Sequence, residues 1–109
     1  MKDNICSNGY ICPFEYALNI IAGKWRGLVI YYLYLNGTMR FSELKRELDG
    51  ITQKMLKQTL RFLESEEIIS RKVYPVVPPK VEYNLTSKGK SLVPILESLQ
   101  EWGRKQLDS

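Results

Sequence analysis

Cationic and amide side chains recur at helical spacing in the middle of the chain. They stand at i, i+3, i+4 and i+7, namely Lys54, Lys57, Gln58 and Arg61. This spacing predicts that they share one helix face. Between positions 51 and 63 there is no acidic residue, although solvated helix faces usually alternate Glu with Lys. Cations bind phosphates, and Arg and Gln read base edges, so the pattern favours DNA binding over a merely solvated face.

The same segment carries an apolar stripe opposite the basic face, formed by Leu56, Leu60 and Leu63. Thr52 precedes the first helical residue and is predicted to be the N-cap. Thr52 and Gln53 therefore stand at the end of the helix that enters a DNA groove most deeply. Gln53 is the candidate base-reading residue, whereas Lys57 and Arg61 are predicted to contact phosphates.

Catalytic chemistry has little support in this sequence. There is no histidine, which excludes Ser-His-Asp and Cys-His catalysis and any zinc site with a His ligand. Two cysteines are too few for a four-Cys zinc site in one chain. Neither GxxxxGK[ST] nor GxGxxG occurs. We predict a protein that is not an enzyme and that binds no metal and no cofactor.

The two cysteines leave several roles open. Cys12 directly precedes Pro13, a residue favoured at the first position of a helix, so its sulfur is predicted to lie at a helix N-terminus. A helix N-terminus favours the thiolate, although Glu15 one turn later opposes it. Cys6 and Cys12 could form an intramolecular disulfide, or Cys12 could bond across a dimer. Alternatively, Cys12 is an inert buried side chain and Cys6 has no role.

The overall composition fits one small domain. The chain has 109 residues, a mass of 12.7 kDa, a net charge of +4 and a pI near 9.1. The positive charge permits a nucleic-acid partner without requiring one. No apolar run approaches the roughly 20 residues of a membrane span, and no signal peptide is visible. We therefore expect a cytoplasmic protein without a membrane partner.

The elements that position these residues are predicted to be four helices, a β-hairpin and a last helix. The hairpin strands are Ile69–Tyr74 and Val81–Leu85, and the prolines between them exclude a central strand there. Arg71, Lys72 and Lys80 add positive charge to the hairpin. Thr86 is predicted to cap the last helix, and Pro94 to kink or split it.

This order predicts a mainly α fold with a small β-hairpin (α+β), a winged helix-turn-helix with added N- and C-terminal dimerisation helices. We interpret residues 1–109 as one domain. Its parts are an N-terminal arm (1–12), a helix-turn-helix (about 41–66), a wing (about 69–85) and a C-terminal helix (about 87–107). A domain this small cannot bury every apolar stripe internally, so we expect a homodimer. Its interface is predicted to include Phe14, Leu92, Ile95, Leu99 and Trp102.

Short motifs from Cys12 to about Lys105 resemble those of one known family. They are Cys12-Pro13, Gly23-Lys24-Trp25, Arg40-Phe41, Glu43-Leu44, Ile51-Thr52, Lys54, Leu56, Leu60-Arg61, Leu63-Glu64, Pro78-Pro79-Lys80-Val81-Glu82-Tyr83, Leu85-Thr86, Gly89 and Trp102-Gly103. In this order the motifs resemble the HxlR-type winged helix-turn-helix transcriptional regulators. The resemblance implies a homodimer on operator DNA. It also implies that the cysteine before the first helix serves some members as a redox or electrophile sensor.

The sequence therefore predicts a sequence-specific, DNA-binding transcriptional regulator that acts as a homodimer. Its predicted DNA-binding residues are Arg40, Ser42, Thr52, Gln53, Lys54, Lys57, Gln58, Arg61, Arg71, Lys72 and Lys80. Cys12 is the candidate sensor and Cys6 the weaker one. The alternative is a winged-helix interaction module whose basic helix meets an acidic protein, and an enzyme ranks third. The sequence identifies no small-molecule effector.

Overall fold

The computed structural model describes residues 12–108, in which six helices and three strands follow one another. In chain order they are α1 (Pro13–Ile20), α2 (Arg26–Asn36), β1 (Met39–Arg40), α3 (Phe41–Glu47), α4 (Gln53–Ser65), β2 (Ile69–Tyr74), β3 (Lys80–Leu85), α5 (Ser87–Lys90) and α6 (Val93–Leu107). The strands form an antiparallel sheet in the order β1-β3-β2. The mainly helical winged fold expected from the sequence is confirmed.

The first strand escaped the sequence analysis. β1 has two residues, Met39 opposite Tyr83 and Arg40 opposite Glu82 on β3. Two residues are too few for the apolar-polar alternation by which a strand is recognised. β1 leads directly into α3, so this short pairing joins the start of the helix-turn-helix to the central strand of the wing.

The C-terminal helical region is divided as the proline predicts. α5 ends at Lys90, and α6 begins at Val93 with Pro94 in its first turn, where a missing N–H leaves no hydrogen bond unmade. Thr86 caps α5, its hydroxyl accepting a hydrogen bond from the Gly89 N–H at 3.0 Å.

The core lies between the sheet and helices α2, α3 and α4. The apolar stripe of α4 is fully buried, as predicted, at Leu56, Leu60 and Leu63. It packs in one cluster with residues of α2 and α3 that include Ile30 and Leu44. Burial of this stripe turns the opposite face of α4 toward solvent.

Gly89 of α5 lies close to the backbone of the residue that precedes β2. A Cβ atom built at this position would lie 2.1 Å from the carbonyl oxygen of Ile68. Backbone atoms cannot withdraw as a flexible side chain does, so any larger residue would displace α5 from the start of β2.

We expect Gly89→Ala to lower the free energy of unfolding by about 1–3 kcal/mol, because an overpacked site forces the backbone to shift. Thermal and urea unfolding measure the change. Gly27→Ala is the control, since its Cβ would meet its nearest neighbours at 3.9 Å. Replacing this helical glycine should raise stability by roughly 0.5–1 kcal/mol. Equal stability of the two variants would contradict the packing argument.

Candidate nucleic-acid interface

The N-terminus of α4 is fixed by Thr52. Its hydroxyl accepts a hydrogen bond from the Met55 N–H at 3.0 Å, which is the predicted N-cap. The helix begins at Gln53 and has no acidic residue in its first turn. The Thr52 hydroxyl is thus engaged within the chain, while the exposed Gln53 side chain stands at the leading end of the helix.

The basic face of α4 is exposed over its whole length. Five side chains line one open depression on the surface: Gln53, Lys54, Lys57, Gln58 and Arg61. None of its three cations forms an ion pair with another residue between 12 and 108. Cations that lack an ion-pair partner can bind DNA phosphates, and the neighbouring amide groups can hydrogen-bond to base edges in the groove.

Arg71 extends this surface onto the wing. The strand register places Arg71 opposite Tyr83, so its side chain belongs to the sheet face that covers the core. There it joins Lys57 and Arg61 around a cavity of about 310 Å³ between α4 and β2. Arg71 forms no ion pair with any residue that the structure describes.

The other two wing cations lie on the opposite face of the sheet. Lys72 pairs in register with Glu82, and Lys80 with Tyr74, so all four side chains share the outer face. The ammonium of Lys80 lies 3.3 Å from a Glu82 carboxylate oxygen. Both lysines also lie over the Tyr74 ring, with Nζ at 5.0 Å and 4.8 Å from its centroid. Alternation along the hairpin therefore separates wing charges that the sequence analysis grouped together.

The two predicted residues near the start of α3 differ in their surroundings. Arg40 is the N-cap, and its backbone N–H donates to the Glu43 carboxylate at 2.7 Å. Its register with Glu82 places Arg40 on the outer face of the sheet. Ser42 is exposed in the first turn of α3.

Glu82 is a residue that the sequence analysis overlooked. It is the sole acidic residue between positions 68 and 88, and this isolation in a basic hairpin is the signal that could have found it. Its side chain is 19% exposed. Partial burial acts to raise the pKa of Glu82, but the Tyr74 hydroxyl and the Lys80 and Arg40 cations outweigh burial and lower it below its usual value.

Apolar side chains that the sequence assigned to an interface are largely uncovered in the single chain. Phe14, Ile95, Leu99 and Trp102 are exposed, with Trp102 at 66%. Leu92 differs, because it is half-buried against the chain's own core. The exposed residues occupy α1 and α6, outside the face that carries the basic residues of α4.

Cys12 occupies the N-cap position of α1, as predicted, and is 1% exposed. Its sulfur is bonded in a disulfide. Cys6 lies outside the described residues. Between residues 12 and 108, no group of three or more potential ligands could hold a metal ion. No helix in that range is long and apolar enough to cross a bilayer.

Comparison with known proteins gives the same fold and places the chain in a family. The model of the HxlR-like helix-turn-helix family matches residues 20–109. The chain belongs to the HxlR-like helix-turn-helix family. As a member, it is a DNA-binding transcriptional regulator.

Individual relatives agree with this assignment. An uncharacterised HTH-type transcriptional regulator of Methanothermobacter thermautotrophicus is 53% identical over 102 residues, which is 94% of this chain and 77% of the relative. Reduced redox regulator HypR superposes with a TM-score of 0.83 at 46% identity, covering 88% of this chain and 94% of HypR. Reduced YodB from B. subtilis superposes with a TM-score of 0.74 at 39% identity, covering 85% of this chain and 91% of YodB. Structures also exist of oxidised HypR and diamide-treated YodB.

We expect Lys57→Ala and Arg61→Ala to weaken binding to all duplex sequences alike. Each should flatten the slope of log K against log salt by about 0.9, the value for one phosphate contact. Fluorescence anisotropy with labelled duplexes at several salt concentrations measures both quantities.

Lys90→Ala is the matched control, because Lys90 lines a separate cavity with Leu33 and Val93. It should leave the slope unchanged. Wild-type affinity and slope in both α4 variants would overturn the recognition-helix assignment. A shallow slope in the wild type would favour an acidic protein as the partner of α4.

Proposed function

We propose that this HxlR-like regulator binds operator DNA as a homodimer, with α4 of each protomer in a major groove. The observation that carries the proposal is the basic face of α4, which is exposed and free of ion pairs with described residues. Because the proposed target is chromosomal operator DNA, we place the regulator in the cytoplasm.

Within this complex the exposed side chains make two kinds of DNA contact, to base edges and to phosphates. Gln53 stands at the start of α4 and is our candidate for reading a base edge, worth about 1–3 kcal/mol of discrimination. Lys57 and Arg61 follow one and two turns later and bind phosphates. Arg71 lies across the cavity from them and binds the backbone strand that passes between α4 and the wing.

Homodimerisation is supported by the apolar surface of α1 and α6. Ile95, Leu99 and Trp102 leave more than half of their areas exposed, as does Phe14 on α1. An exposed apolar patch of this kind usually marks a protein contact. A two-fold dimer presents two copies of one recognition helix, about 34–36 Å apart, to successive major grooves.

We expect Ile95→Asp to shift the protein toward monomer and to weaken operator binding, because it places a charge in the proposed dimer contact. Sedimentation velocity at micromolar concentration measures the oligomeric state. Val77→Asp is the control, since Val77 is 99% exposed at the wing tip and lies outside α1 and α6. A wild-type monomer, or an Ile95→Asp dimer as stable as wild type, would contradict the proposed interface.

Redox control through Cys12 is the second part of the proposal. Cys12 precedes α1, whose Phe14 belongs to the proposed dimer surface, and its sulfur is bonded in a disulfide. HypR is named a redox regulator, and YodB has been studied after diamide treatment. A bond made or broken at Cys12 alters how α1 packs on the partner, and this changes the separation of the two recognition helices.

We expect reduced and diamide-oxidised protein to differ in operator affinity by about 1–3 kcal/mol, the usual range for coupled sites. In this reaction two thiols lose two electrons and two protons as the disulfide forms, and diamide takes them up as its hydrazine. The measurement is operator binding before and after diamide in wild type, Cys12→Ser and Cys6→Ser.

Cys12→Ser should remove the oxidant effect. Equal wild-type affinity in both redox states would overturn the sensor role while leaving DNA binding intact. An effect that survives Cys12→Ser and is lost in Cys6→Ser would assign the role to Cys6.

A further inference from the structure

Glu82 occupies the centre of the outer face of the sheet. β3 is the middle strand, and the register places Arg40 of β1 on one side of Glu82 and Lys72 of β2 on the other. Lys80 lies two residues before Glu82 on the same face. Three cations from three strands therefore surround one carboxylate, and it is the one acidic side chain of the described sheet.

The contacts of this cluster hold its members in place. Lys80 makes the 3.3 Å ion pair, and the Glu82 side chain is largely shielded from water. Tyr74 receives the Lys72 and Lys80 ammonium groups over its ring. Partial burial acts to raise the pKa of Glu82, but the Tyr74 hydroxyl and the Lys80 and Arg40 cations lower it, so the charged carboxylate attracts the cations of β3 and β1.

The three strands of the cluster connect the wing to the helix-turn-helix. β1 continues directly into α3, β2 follows α4 after the turn at residues 66–68, and β3 returns from the wing tip. We propose that Glu82 is a positioning residue for operator binding. It holds the wing at a fixed angle to the helix-turn-helix by drawing together the outer-face cations of all three strands. A wing that is already fixed in the free protein loses less conformational entropy when the protein binds DNA.

This inference rests on the proposed operator binding, and it makes a prediction opposite in sign to simple electrostatics. Removal of a carboxylate from a DNA-binding surface ordinarily strengthens binding, because phosphates are then repelled less. If Glu82 positions the wing, its neutralisation instead weakens binding to the specific site. The sign of the change therefore separates the two roles.

Glu64 provides the matched control. It is exposed on α4 and lines the cavity that also contains Lys57, Arg61 and Arg71. It forms no ion pair with another residue in the range 12–108. Glu64→Gln removes the same charge, on the side of the sheet that faces α4, without releasing an ion-pair partner.

The experiment compares Glu82→Gln, Glu64→Gln and wild type on a duplex that the wild type selects from a random pool, and on a scrambled duplex. We expect Glu64→Gln to bind both duplexes more tightly. Glu82→Gln should lose about three- to tenfold in affinity for the selected duplex, the scale of one lost ordinary hydrogen bond. It should lose nothing on the scrambled one.

Two further variants keep the test decisive. Glu82→Asp retains the charge but withdraws it from Lys80, so positioning predicts a partial loss and a charge effect predicts none. In a Lys80→Met background, Glu82→Gln should lower the affinity for the selected duplex less than it does alone, because Lys80 and Glu82 act as one ion pair. Thermal unfolding of each free protein shows that the fold persists.

The outcomes separate this inference from the proposal beneath it. The positioning role alone is overturned if Glu82→Gln binds the selected duplex as tightly as Glu64→Gln does. It is also overturned if the losses of affinity caused by Glu82→Gln and Lys80→Met are fully additive. A wild-type protein that selects no sequence overturns operator binding itself, and the positioning role falls with it.

Discussion

Burial of Leu56, Leu60 and Leu63 sets the rotation of α4 about its own axis. The three leucines are fully enclosed by residues of α2, α3 and the sheet, so the helix cannot turn without exposing them. Each buried leucine contributes roughly 1.5–3 kcal/mol, and another rotation of α4 would both expose leucines and bury unpaired cations. The direction in which the cations point is thus a consequence of core packing.

The pleat of the sheet imposes the second constraint. Successive side chains of a strand point to opposite faces, so Arg71 is turned toward α4 while its neighbour Lys72 is turned away. The two faces then acquire different roles. Arg71 remains without an ion-pair partner among residues 12–108 and continues the basic surface, whereas Lys80 on the outer face forms an ion pair with Glu82. In the proposed complex, one hairpin therefore supplies both a DNA-contacting residue, Arg71, and the ion pair that positions the wing.

The small size of the domain explains why apolar residues of α6 are exposed. The core is completed by α2, α3, α4 and the sheet, with Val93 and Leu96 of α6 turned inward. The remaining apolar residues of α6 face outward because no further element covers them within the described chain. A second copy of the chain would cover them at no cost in added sequence. Phe14, which is also exposed, lies in the first turn of α1, the helix that directly follows Cys12, so the proposed redox site and part of the proposed dimer surface share one element.

Several features follow from the sequence by itself. The spacing of the leucines and cations determined the two faces of α4, Thr52 its first turn, and Pro94 the division of the last helix. Each depends on local geometry, either the helical repeat or the conformation of one residue, so a few neighbouring letters suffice.

Tertiary structure decided what depends on distant pairing. β1 exists because Met39 and Arg40 meet β3, more than forty positions later in the chain. The separation of Arg71 from Lys72 and Lys80 requires the hairpin register, and the position of Glu82 between Arg40 and Lys72 requires three strands side by side. Gly89 is required because α5 folds back to within contact of the Ile68 carbonyl. No local pattern encodes these contacts, because a side chain's partners across a sheet are set by which strands pair and in what register.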